Sequence, residues 1–268
     1  MPFPDDQALA QAVQSGLQAG EFATYFQPKF DPDSEDIVGL EALLRWNHPE
    51  EGFLEAGRFM RAIERDAELI EAVDAWVLGD TMRQGRAWVD QDLSFGLMSV
   101  NISAWNNGKM LVDKVQSALK DSGFPAKKLS LECPWRVLAV DVAGISQTMR
   151  DLRALGCVIV LDGNPLNQEC LDVVRQTPVQ MSKVCIEHMQ SLADSDGIEV
   201  LAQQMKRWDK AKVQIVSMGV ESEEHVALSH NAGCRLFQGS RFKSALPGDE
   251  ISFLLKLIAK TKKALSFL

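Results

Sequence analysis

The feature that most constrains this chain is its beat. Short apolar runs of strand composition alternate with helical segments almost without pause. Strand candidates fall at 25–30, 37–46, 95–102, 128–133, 157–162, 180–185, 212–217 and 234–238. Helical periodicity covers 56–64, 69–88, 111–120, 142–155, 171–176, 198–208 and 223–231. The first two strands are separated only by the turn-rich Asp31-Pro-Asp-Ser-Glu-Asp36, so they predict a hairpin. Later strands are joined through helices, which is how parallel strands are connected. Eight strands with crossovers in 268 residues predict an α/β chain closed into a (β/α) barrel, a fold that takes ~250 residues. An open doubly wound sheet is the competing arrangement, but no Gly-rich phosphate loop follows the first strand, as that fold would prefer.

No linker, low-complexity tract or internal repeat divides the sequence, so one domain is expected over 1–268. Its core would span about 22–247, with an N-terminal helix over 5–20 capped by Asp5 or Asp6 and a C-terminal helix over 249–267. That last stretch carries apolar and Lys residues at helical spacing. It predicts packing against the barrel, with a membrane surface or a second chain as the alternative uses of such a face.

Composition removes several classes of function. The net charge of -9 and the lack of a basic stripe argue against binding a nucleic-acid polymer, although one Arg or Lys in a cleft still suffices for a small anion. No apolar run approaches the ~20 residues that span a bilayer. The N-terminal Met1-Pro-Phe-Pro-Asp-Asp6 has neither a basic nor an apolar leader region, and the five cysteines are dispersed. Together these features predict a cytoplasmic protein with reduced thiols. The four histidines, His48, His188, His225 and His230, show no metal spacing and are expected in solvent.

Barrels place their chemistry at the C-terminal ends of the strands. Those positions hold Glu41, Asn101, Glu132, Asp162, Lys183 and Gln238, each inside or ending an apolar segment. Buried carboxylates are costly unless paired or metal-bound. Several oxygens converging on one mouth therefore suggest a hard cation, Mg²⁺ or Mn²⁺. Charge pairing with Lys183 and Arg45 is the alternative that needs no metal.

These residues carry a resemblance. Glu41-Ala-Leu-Leu-Arg-Trp46, preceded by Gln27-Pro28, resembles the signature of the EAL domain family of cyclic di-GMP phosphodiesterases. The likeness continues through Ser99-Val-Asn-Ile-Ser103, Leu129-Ser-Leu-Glu132, Leu161-Asp162, Pro178-Val179, Lys183, Gly219-Val-Glu221, Ala232-Gly-Cys234 and Phe237-Gln-Gly239. It implies a modified TIM (β/α)8 barrel whose first strand runs antiparallel to the others. It implies cyclic di-GMP as substrate, opened to the linear dinucleotide by a metal-activated water. By the same likeness Glu41, Asn101, Glu132 and Asp162 hold a metal, while Lys183 contacts water and phosphate. Arg45 contacts the ligand phosphate, Gln238 supports the site, and Gln27, Leu43 and Phe242 join the ligand-binding set.

Three acidic positions of the family pattern are absent. A second Asp after the strand-five Asp is Gly163 here, the first Glu of E-G-V-E is Met218, and the second Glu of E-x-T-E is Trp135. The loop after Asp162 reads Gly163-Asn-Pro-Leu-Asn-Gln-Glu169, and Ser240 and Ser244 stand where the family has a stacking ring and an arginine. Gly163 removes a ligand of the second metal. Met218 cannot handle the attacking water, which forgoes assistance of typically ~10²–10⁴-fold. Trp135 and Met218 are expected to fill the vacated space, either as plain packing or as a surface for a guanine or a protein. The expectation is a degenerate EAL domain with at most one metal, acting as a cyclic di-GMP receptor or protein-interaction module. A weakly active metal-dependent phosphodiesterase is the competing expectation.

Overall fold

A computed structural model describes residues 5–34 and 36–265, with the backbone alone for 263–265. Met1–Pro4 of the expected leaderless N-terminus and positions 266 and 267 of the expected C-terminal helix lie outside the described residues. Among the described residues, ten strands form one sheet: β1 (Phe22–Asp31), β2 (Asp36–His48), β3 (Gly52–Glu55), β4 (Leu97–Asn101), β5 (Leu129–Pro134), β6 (Val158–Asp162), β7 (Met181–Cys185), β8 (Gln214–Met218), β9 (Leu236–Gln238) and β10 (Leu246–Pro247). Strands β2, β4, β5, β6, β7, β8 and β9 pair in that order, all parallel. β1 closes the ring, antiparallel to both β2 and β9.

The result is a closed eight-strand barrel with its first strand reversed. The β1–β2 hairpin, read from the turn residues 31–36, is what reverses it: a strand that turns straight back must run against its neighbour. β3 and β10 are short additions beyond the ring, pairing antiparallel with β2 and β1. Neither shows in the sequence, since four residues and two are too short for a periodic signal.

Several helices begin on a side chain that accepts a first-turn N–H. Asp5 caps Asp6–Ala19, Asp66 caps Ala67–Asp90, and Asp141, Asn167 and Ser222 cap Val142–Ala154, Gln168–Val174 and Glu223–Ala232. The helix Ile186–Asp196, between β7 and the helix Ile198–Lys210, is the one long helix without a counterpart in the sequence reading. The C-terminal helix Gly248–Leu265 does pack on the barrel, through Ile251 and Leu255, both buried. Among the described residues, no helix is long and apolar enough to cross a membrane.

Alternation sorts each strand into an outer and an inner face. The outer faces and the helices share one core that includes Trp46, Trp88, Trp208, Phe26, Phe59 and Phe237. Inside the barrel, Val160, Met181, Val216 and Leu236 form a separate apolar cluster. Each lies two residues before a position at the mouth end of its strand, namely Asp162, Lys183, Met218 and Gln238. On the β6–β9 side the interior is thus apolar below and gives way to polar groups towards the C-terminal mouth.

Candidate functional site

The same alternation delivers the polar set to one place. Gln27 lies opposite Glu41 across the β1–β2 pair, Asn101 opposite Glu132, and Met218 opposite Gln238. Glu41, Glu132, Lys183 and Gln238 are all buried. Lys183 is the hub: its Nζ lies 2.7 Å from Glu132 Oε2, 3.0 Å from Glu41 Oε1 and 3.6 Å from Asp162 Oδ1. Asn101 Nδ2 donates to Glu41 Oε1 at 2.8 Å, and Gln238 Nε2 donates to Glu41 Oε2 at 2.6 Å and to Gln27 Oε1 at 3.1 Å.

The sequence reading missed one member. Lys29, on the inner face of β1, donates to Glu132 Oε1 at 2.8 Å and to Ser99 Oγ at 2.7 Å, and Ser99 bonds Ser130 at 2.7 Å. The signal was available: a lysine two positions from Gln27 shares its face of the strand, and an inward lysine needs an acid.

The electrostatics follow from this arrangement. Burial opposes the charge on Glu41, but Lys183 and Lys29, with hydrogen bonds from Gln238 and Asn101, hold its carboxyl well below the usual carboxylate range. Burial likewise opposes the charge on Lys183, yet Glu132, Glu41 and Asp162 hold its ammonium well above its ordinary value. Asp162 goes the other way: burial raises it, Lys183 only partly offsets this, and the Glu132 and Glu41 charges add to the rise.

The four expected metal donors therefore share one rim, and oxygen donors of this kind suit a hard divalent cation. Asp162 Oδ1 is buried without a hydrogen-bond partner, an oxygen still open to such an ion. Against this, Lys183 sits among the three carboxylates, and among the described residues no three His, Cys, Asp or Glu side chains are grouped to hold a metal as they stand. No acid stands at position 163 to hold a second ion.

Other expected residues fall into two groups. Arg45 and the half-buried Leu43 share the inner face of β2 with Glu41. Arg45 does not pair with the buried carboxylates. It donates to Leu44 O at 3.0 Å and approaches Glu55 Oε1 at 3.4 Å. Met218 ends β8 beside Gln238, half-buried. Trp135 opens the short helix Trp135–Leu138 and packs on the main core. The Phe242 ring lies 5.5 Å from Phe30 and 6.0 Å from Phe237, part of the apolar packing on the side of the outward-facing Phe237.

Three of the four histidines are less exposed than expected. His188 Nε2 meets Pro165 O at 2.7 Å, His225 Nδ1 accepts from Glu221 N at 3.2 Å, and both rings are half-buried. His48 lies at the end of β2, half-buried, its ring 4.7 Å from that of Trp46. His230 alone is exposed. All five cysteines are free thiols, and four are buried.

A closed barrel with its first strand reversed and a ring of carboxylate, amide and ammonium groups at its C-terminal mouth is a modified TIM-type barrel. The chain belongs to the EAL domain family, which it matches over residues 8–245. It is 27% identical over 245 residues to the bifunctional diguanylate cyclase/cyclic di-GMP phosphodiesterase MucR of Pseudomonas aeruginosa, covering 91% of this chain and 36% of that one. It is 30% identical over 251 residues to an uncharacterized protein of Mycobacterium bovis, covering 90% of this chain and 80% of that one. The chain spans about a third of the length of MucR, and 30% of that of the oxygen sensor protein DosP of Escherichia coli. In structure it resembles the MucR phosphodiesterase in complex with c-di-GMP, with a TM-score of 0.83 at 27% identity, covering 91% of this chain and 99% of that one. The FimX EAL domain of Pseudomonas aeruginosa bound to c-di-GMP shares the fold, with a TM-score of 0.79 at 20% identity, covering 89% and 96%.

Proposed function

We propose that this chain is a degenerate EAL domain that binds cyclic di-GMP without turning it over efficiently. It would serve in bacterial, cytoplasmic second-messenger signalling as a receptor that relays occupancy to a protein partner. One observation carries the reading. The mouth keeps Arg45 and the Lys183-centred ring, yet offers a thioether at Met218 and a hydrogen at Gly163 where hydrolysis needs acids. A thioether cannot take a proton from water, so general-base assistance is missing. A single Mg²⁺ or Mn²⁺ would engage Glu41, Asn101, Glu132 and Asp162 weakly, because Lys29 and Lys183 already neutralise two of the three carboxylates. The MucR complex with c-di-GMP supports the choice of ligand.

Calorimetry with cyclic di-GMP, with and without Mg²⁺ or Mn²⁺, followed by product analysis, tests this. Binding without linear dinucleotide is the expected result. Metal-dependent turnover that disappears in Glu41→Ala would establish the weak phosphodiesterase instead. That second reading has one observation in its favour, the Asp162 Oδ1 that accepts no hydrogen bond and meets Lys183 only at 3.6 Å.

A further inference from the structure

The β1–β2–β3 edge rises from the carboxylate ring as a wall. Beyond the register shift at Lys29/Phe30, the odd-numbered residues of β1 and β2 face the mouth, so Gln27 with Glu41 forms a rung at the ring and Tyr25 with Leu43 the next above it. β3 carries the wall upward, with Glu55 opposite Arg45 and Phe53 opposite Asn47 on that same face. The Phe53 ring lies 5.1 Å from the Tyr25 ring at an interplanar angle of 60°. Arg45 Cζ is 5.9 Å from the Tyr25 centroid and 6.0 Å from that of Phe53. Arg45 is 8% exposed and Phe53 48% exposed.

The wall therefore offers a buried guanidinium beside a ring left half in water. Phe53 gains little from the fold in that position, since most of the benefit of an aromatic ring comes from leaving water. Arg45 has five N–H donors, and its polar contacts are Leu44 O and the exposed Glu55 carboxylate. A planar apolar face next to a cation is the chemistry that takes a nucleobase joined to a phosphate.

Resting on the cyclic di-GMP reading above, we propose that Phe53, backed by Tyr25, is the plate on which one purine base of the ligand stacks while Arg45 holds the adjacent phosphate. Phe53 thereby supplies the flat surface that Ser240 cannot. The contact reads any purine face, so it sets affinity and base orientation rather than guanine against adenine.

The test is a calorimetric titration of the whole chain with cyclic di-GMP, comparing wild type, Phe53→Ala and Phe53→Trp, with ultraviolet hypochromism of the base as a second readout. Phe53→Ala should weaken binding roughly 5- to 100-fold, the range for removing one base–aromatic stack, and should abolish the hypochromism. Phe53→Trp should retain or tighten binding and keep the signal. Wild-type affinity in Phe53→Ala overturns the stacking and leaves the receptor reading standing. Equal weakening in both variants also overturns it, because loss of hairpin packing would then explain the effect. No binding by the wild type overturns both.

Discussion

Lys29 Nζ and Glu132 Oε1 meet at 2.8 Å in a part of the barrel where both side chains are buried, at 5% and 0% exposure. Lys29 and Lys183 grip the two oxygens of Glu132 separately, so the carboxylate is held from both sides. Removing one partner of a buried pair leaves charge that the interior cannot solvate. Lys29→Met is expected to cost about 3 kcal/mol of stability, and the double change Lys29→Met with Glu132→Gln should recover at least half of it. Urea unfolding of the three proteins measures this. A Lys29→Met loss within about 0.5 kcal/mol, the size of an ordinary surface change, would mean that the pair carries no structural weight.

A different acid sets the pH response. Asp74, on the helix Ala67–Asp90, is buried, and its Oδ2 accepts from Ser103 N and Ala104 N at 2.9 Å each, fixing the chain just beyond Asn101. Burial pushes its carboxyl up to about 6 from 3.8, against the pull of those two N–H groups and of Lys114. An acid raised by folding takes up a proton as the chain folds. Its contribution to stability is full below pH 3.8 and is lost as the pH rises through about 6. The change is of order 3 kcal/mol, at about 1.4 kcal/mol for each tenfold difference in proton affinity between the folded and unfolded chain. Asp74→Asn keeps an acceptor for both N–H groups without the charge. It should match the wild type near pH 4 and exceed it by about 1–3 kcal/mol at pH 8. Parallel stability curves for the two proteins between those limits would sink this assignment.

What the sequence revealed and what it hid divide along physical lines. The eight barrel strands were legible because each is a compact apolar or β-branched run, and the hairpin because turn residues bound it. Glu41, Asn101, Glu132, Asp162, Lys183 and Gln238 were legible as polar interruptions of those runs. Lys29 was not, because β1 carries polar residues on its inner face at Tyr25 and Gln27 as well, so one more drew no notice. Phe53 was hidden for another reason. Its role depends on β3 folding over Arg45, and a four-residue strand leaves no periodic trace. The pairing of Arg45 with Glu55 rather than with the buried carboxylates has the same origin.

The loop after β6 is pinned. Asn164 N donates to Lys183 O at 3.2 Å, Asn164 Oδ1 accepts from Leu166 N at 2.7 Å, and His188 meets Pro165 O. Leu166 is fully buried with a positive φ of 52°, a conformation held only because its surroundings fix it. Such a loop is expected to stay ordered whether or not ligand is bound. Hydrogen exchange should show the Leu166 amide protected in both states, and Asn164→Ala should remove the protection at a cost of about 1–3 kcal/mol. Protection that appears only on adding cyclic di-GMP would contradict a pinned loop.

This loop opens on Gly163, directly after Asp162. Gly163 has a φ of 73°, and a Cβ built on it meets no atom within 4 Å. Space for an acid therefore exists, and Asp tolerates left-handed backbone at about 1–2 kcal/mol. Gly163→Asp alone would supply a metal donor beside Asp162 yet leave Met218 unable to accept a proton. It is expected to strengthen Mn²⁺ binding without producing linear dinucleotide. Adding Met218→Glu places a carboxylate next to Gln238, and the pair of substitutions should yield measurable, metal-dependent hydrolysis of cyclic di-GMP. Chromatography of the product after long incubation with each variant decides the point. Turnover in the wild type equal to that of the double variant would show that neither position limits the chemistry, whereas turnover confined to the double variant would locate the loss of catalysis in these two side chains.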